Sequence, residues 1–198
     1  MGIRRLLITA VTALMLVLPA SMVIAQDESP APDPVAALAN SDFVGIFPTE
    51  LGGLPWDDLT VQLGAETLAD LDPNDPDDAE ELAETEALLE RLGATIDDIT
   101  AVSASRINED VTDFTFVLAF RVSGVDADRL LEEILPSFDD DLEQPRQESG
   151  QVGGKDVVLL FDDASPDAQP FHLYASGDTV WMVAAVEPML TEAFDKLP

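Results

Sequence analysis

The sequence predicts an α+β domain: a two-layer, mainly antiparallel sheet with helices packed on one face. Three observations carry this. Phe114, Phe116, Leu118, Phe120 and Val122 alternate with Thr115, Val117, Ala119 and Arg121, the period of a strand with one strongly apolar face. Directly after it, Asp126 is placed to open a helix whose Ala127, Leu130, Leu131 and Ile134 share one side, and Pro136 stops that helix. Phe171 to Ala175 and Thr179 to Ala185 flank Ser176-Gly177-Asp178, a hairpin signal.

Residues 1–25 read as a signal peptide or an uncleaved membrane anchor. Arg4 and Arg5 precede an apolar run beginning at Leu6, and Val23-Ile24-Ala25 offers the small residues that a signal peptidase reads. Either form places the domain outside the cytoplasm, because the arginines stay inside. Arg4-Arg5 also matches part of a twin-arginine signal, but the very apolar core favours the general secretory route. Residues 26–42 read as an acidic, Pro- and Ala-rich linker, extended through Asp27 to Pro34, with one helical turn expected at Val35 to Ala39. Residues 43–198 form the single α+β domain.

Within it, Phe43 to Pro55 reads as an irregular lead-in with a tight turn at Gly52-Gly53. Leu59 to Leu63 is a first strand. Asp70 to Asp78 is an acidic, proline-containing loop. A helix over Ala79 to Leu92 follows, capped through Asp77 with Glu80 or Asp78 with Glu81 and closed by Gly93. Its Leu82, Leu89 and Leu92 face the core with Leu88 flanking, and its acids crowd the exposed side. Asp97 to Arg106 is a second strand with small residues from Ala101 to Ser105. After the strand–helix unit, Ser137 to Gly150 is a polar connection, and Gly153-Gly154 turns a short hairpin beginning near Glu148. Val157 to Phe161, continuously apolar, is an interior strand covered on both faces. A last helix from Pro188 places Leu190, Ala193, Phe194 and Leu197 on one side. The order matches a split βαβ, ferredoxin-like plan with a C-terminal hairpin and helix. The repeated endings Leu135-Pro136 and Leu197-Pro198 leave two copies of a strand–strand–helix unit as the alternative.

Gly52-Gly53, Gly153-Gly154-Lys155 leading into Val157 to Phe161, the Ala175 to Val183 hairpin and the terminal Leu197-Pro198 are the features by which the layout resembles a class of secreted bacterial α+β domains of unassigned function. Those features are turns and core, so the resemblance implies a fold and no active site.

Composition excludes several functions. There are 40 acidic residues against 9 basic ones, a net charge of −31, and removing the two arginines of the leader takes this to −33. Such a surface repels nucleic acid and anionic lipid. With no cysteine there are no disulfides, no thiol catalysis and few ways to build structural zinc.

Individual motifs fall short of chemistry. Gly153-Gly154-Lys155 has Ser149 where a phosphate loop needs glycine, Asp156 where it needs Ser or Thr, and a strand instead of a helix after it. Asp70, Asp72, Asn74 and Glu81 sit at positions 1, 3, 5 and 12 of a calcium loop, but Pro73, Asp75 and Asp77 break its pattern, so weak Ca2+ binding by acidic loops is the most it supports. His172, the sole histidine, alternates with Phe171 and Leu173 and is expected exposed on the far side of its strand. Paired carboxylates could cleave glycosides, yet the two tryptophans available to stack on a sugar, Trp56 and Trp181, read as packing residues.

The expectation is an extracytoplasmic, acidic binding domain, not an enzyme, with no cofactor, no resident metal and no nucleic-acid partner. Its partner is a protein or small molecule outside the cytoplasm, and the N-terminal segment is a candidate membrane tether. The alternatives are a carrier with an apolar pocket and a carboxylate-based hydrolase. The acidic shell also predicts salt dependence. The thermal midpoint rises by a few degrees between about 0.05 and 1 M NaCl as self-repulsion is screened. A flat midpoint in differential scanning calorimetry would exclude salt adaptation.

Overall fold

The computed structural model describes residues 38–39, 41–64, 71–72, 74–107, 114–138, 142–165 and 168–198. The predicted signal segment and nearly all of the predicted linker, including most of its helical turn, lie outside them.

The chain forms β1 (Glu50–Leu51), β2 (Leu54–Pro55), β3 (Asp58–Leu63), α1 (Pro76–Leu92), β4 (Ile99–Ile107), β5 (Phe114–Val122), α2 (Ala127–Ile134), β6 (Pro145–Val152), β7 (Lys155–Asp162), β8 (Phe171–Ser176), β9 (Thr179–Ala184) and α3 (Met189–Lys196). β1 and β2 make a small hairpin. The other seven strands form one sheet in the order β3-β4-β5-β9-β8-β7-β6. Every neighbouring pair in it is antiparallel. The α+β class and the dominant antiparallel sheet are as predicted.

The strand order departs from the split βαβ plan. There, the first two strands are separated by a third; here β3 lies directly beside β4, with Leu59 opposite Ala104. The reason is local. Short turns make β6, β7, β8 and β9 consecutive neighbours, so β9 is left to pair with β5, and β4 fills the other side of β5. The sheet is therefore two meanders joined at β5 and β9.

Alternation splits the core in two. Phe116, Leu118, Phe120 and Val122 pack with Leu88, Leu89 and Leu92 of α1 and Ala127, Leu130 and Ile134 of α2. Val117 and Ala119 of the same strand face the other way, into a second core with Phe43, Phe47, Trp181, Leu190 and Phe194. The two helices that connect strands thus lie together on one face, as predicted. The C-terminal helix covers the opposite face, together with the lead-in. This also shows that the two strand–helix units are not symmetric copies. A two-fold axis relating antiparallel neighbours stands perpendicular to the sheet and preserves its faces, whereas α2 and α3, which follow β5 and β9, lie on opposite faces.

Helix ends follow their sequence signals. The Asp126 carboxylate accepts from the Asp128 and Arg129 amides at 3.0 and 3.5 Å. Past α1, the Gly93 amide donates to the Glu90 carbonyl and the Ala94 amide to that of Leu89, a Schellman closure. The start of α1 is earlier than expected, because Pro76 suits the first helical position and the Ala79 amide already donates to the Asp75 carbonyl. Its inward stripe also differs: Asp78, Glu81 and Thr85 are buried in the first half, ahead of Leu88 and Leu92. β6 likewise begins earlier than expected, at Pro145. β7 is interior in the sheet as predicted, but only its Val157 and Leu160 are buried, so cover on its two faces is partial.

Leu130, fully buried beneath α2, sets the expected cost of a core cavity. Leu130→Ala lowers stability by about 3–5 kcal/mol. Leu54→Ser, at an exposed position, changes it by less than about 0.5 kcal/mol. Urea unfolding with an unchanged denaturant slope checks both.

Candidate functional site

A serine–histidine–acid triad in this chain would need His172, the sole histidine, as its base. The structure places it differently from expectation. It faces away from Phe171 and Leu173, as alternation requires, but it is buried. That face of β8 is the one roofed by α3, whose Phe194 ring meets the imidazole edge-on at 6.2 Å between centroids. The expectation failed because it took the far side of the strand for solvent. An amphipathic helix 22 residues along the chain supplies the missing cover.

Burial lowers the proton affinity of His172 below its ordinary value, opposed by the Val183 and Pro170 carbonyls and the Glu187 carboxylate. Among the described residues its Nδ1 has no hydrogen-bond partner, and neither does Nε1 of the fully buried Trp181. Trp181 stacks on Phe47 and meets Phe43 edge-on. Trp56, the other tryptophan, is buried and donates to the Pro48 carbonyl at 2.7 Å. Both indoles are therefore packing residues rather than a sugar platform.

Among the described residues three carboxylates have shifted proton affinity, and all three shifts are downward. Asp72 is lowered by the Asn74 amide and side chain, Asp98 by the Thr95 hydroxyl and amide, and Glu192 by Lys196 and the Gly52 amide. They lie at three separate places and stabilise a turn, the start of the 3-10 helix Ile96–Asp98 and the docking of the β1–β2 hairpin on α3. A glycosidase acid needs the opposite shift.

Of the proposed calcium positions, Asp70 and Pro73 lie outside the described residues. Asp72 accepts from Asn74, and the Asp72 amide donates to Asp78 at 3.0 Å. Among the described residues, no three His, Cys, Asp or Glu side chains gather as a metal set.

Gly153-Gly154 joins two strands, not a strand and a helix, so no helix N-terminus aims amides at a phosphate. Both glycines have positive φ, 58° and 78°. Lys155 turns toward Tyr174 and donates to the Pro198 carbonyl at 3.2 Å, which Tyr174 also bonds at 2.9 Å.

Between α2 and the β6–β8 end of the sheet lies an open groove of about 690 Å³. Leu131, Val158 and Leu173 line its apolar part, and Asp128, Ser149, Lys155 and Asp156 its polar part. Sequence reading missed it, since it exists only where α2, seated over β8 and β9, stops short of the sheet edge. The unexpected exposure of β6 was the available signal: Arg146 to Ser149 carries no apolar residue.

Among the described residues no helix is long and apolar enough to cross a membrane. No family model matches the chain, and neither a curated protein nor a solved structure matches it.

The buried imidazole yields a signed pH prediction. A histidine that stays neutral in the fold but takes a proton when unfolded contributes stability above pH about 6.5 and loses it as pH falls from there toward the lowered folded value. His172→Phe removes that dependence. Between pH 7.5 and 5.5 the stability of the variant relative to the parent therefore rises as pH falls. Parallel thermal melts that keep a constant difference would exclude a buried neutral imidazole.

Proposed function

We propose that this protein is an extracytoplasmic binding module that does no chemistry of its own. One observation carries the reading: the only imidazole is buried under α3 and its Phe194 ring, while the groove beside α2 opens to solvent with a mixed apolar and polar lining. The residue best suited to catalysis is thus withdrawn, and a surface suited to contact is presented. The leader-like segment at residues 1–25 supports the address. The acidic loops add loose calcium association, in the millimolar range.

Two other readings find less support. A carrier needs a concavity that encloses most of its ligand, and this groove is open. A carboxylate-based hydrolase needs a carboxyl group of raised proton affinity beside an ionised one, and the shifted carboxylates described above are all lowered.

Photo-cross-linking in the source cells tests the proposal. A photoreactive residue at Ser149 of the full chain is expected to give an adduct of discrete mass outside the cytoplasm, and one at Glu86, on the exposed side of α1, none. Retention of the chain in the cytoplasm, or equal labelling at both positions, would refute it.

A further inference from the structure

We propose that the groove beside α2 receives an extended, cationic segment of a partner protein, which adds as a further strand to the edge strand β6. This rests on the binding-module reading and names the chemistry of the partner.

The edge geometry comes from the hairpin. Among the described residues, β6 lies at the end of the sheet and pairs with β7 alone. Val152 and Lys155 close a two-residue loop, and positive φ at both glycines makes it a type I′ turn. In such a hairpin the closing pair exchanges both hydrogen bonds, and the pairs then alternate along the ladder. Gln151 opposite Asp156 and Ser149 opposite Val158 are therefore non-hydrogen-bonded pairs. The backbone N–H and C=O of Gln151 and Ser149 point outward, away from β7, where an incoming strand can bond them.

The same alternation puts the side chains of Ser149 and Gln151 on the sheet face of Val158, the face of the groove. A strand laid along β6 sets alternate side chains beside Leu131 and Val158, next to Asp128 and Asp156. Lys155 also lines the groove, but its ammonium turns to the Tyr174 ring and donates to the Pro198 carbonyl. The groove therefore sets two carboxylates, Asp128 and Asp156, against one lysine that is turned to other partners, on a chain of net charge −31. A second copy would bring a further −31 against it, so charge complementarity selects a basic partner.

The probe is a fluorescent decapeptide alternating Lys and Val, titrated by anisotropy against the full chain at about 50 mM salt. Binding is expected, and at least about tenfold weaker binding for three comparisons: the Glu-for-Lys peptide, a peptide N-methylated at alternate residues, and the D128N/D156N double variant. Ser149→Pro removes one outward amide at a position where an edge strand accepts proline. It is expected to abolish binding with an unchanged circular dichroism spectrum.

No binding of the Lys–Val peptide, equal binding of the Glu peptide, or spermine competing as well as the peptide would each overturn strand addition. So would a concentration-dependent dimer, seen in sedimentation and lost in Ser149→Pro. If the peptide arms fail while the Ser149 photo-adduct still forms, strand addition alone is discarded. If the adduct is also missing, the binding-module reading falls with it.

Discussion

Six residue pairs, from Phe116 opposite Ala184 to Arg121 opposite Thr179, join β5 to β9 at the centre of the sheet. This seam connects two stretches about 60 residues apart, and its loop-closure entropy must be offset by what the paired strands bury. Both strands are almost wholly buried. Because side chains alternate across the pleat, the seam feeds both cores at once: Phe120 and Met182 on one face, Ala119 and Trp181 on the other. Neither helix layer has a floor without it.

The two faces are sealed by different means. The α1–α2 face is covered by helices inserted between strands, tied to each other by Arg91 on Glu133 at 2.8 Å. That exposed pair adds little stability, so apolar packing carries the layer. The opposite face is covered by segments from the two ends of the domain, and there polar contacts do the positioning. Arg106 donates to the Leu51 carbonyl, Lys196 to that of Glu50 at 3.0 Å, and the Gly52 amide to Glu192 at 2.9 Å. These bonds dock the β1–β2 hairpin on β4 and α3, and α3 in turn covers His172. Withdrawal of the imidazole is thus a consequence of how the two segments meet.

The distribution of charge completes the picture. Cations are few and committed: Arg121 to Asp178 and the Phe43 ring, Arg146 to Asp163 and Glu148, Lys155 to Tyr174 and Pro198. Across the chain 40 acidic residues stand against 9 basic ones, an imbalance that favours a basic ligand. The groove beside α2 combines that surplus with apolar surface and an open sheet edge.

Much of the fold was legible in the sequence because its signals are local. β5 was read with its observed ends, and α2, the β8–β9 hairpin and the inward side of α3 followed from period, caps and turn residues within a few positions. The start of α1 was missed where Pro76 outweighed the acidic capping pattern, and β6 was cut short because a solvent-facing edge strand lacks apolar alternation. The sequence alone determined the fold class, the acidity, and the failure of the phosphate-loop and calcium-loop motifs. Tertiary structure decided the strand order, the side on which each helix lies, the burial of His172 and the existence of the groove. Each of these depends on which distant segment covers which face, and that is settled by packing between parts of the chain that local periodicity cannot relate.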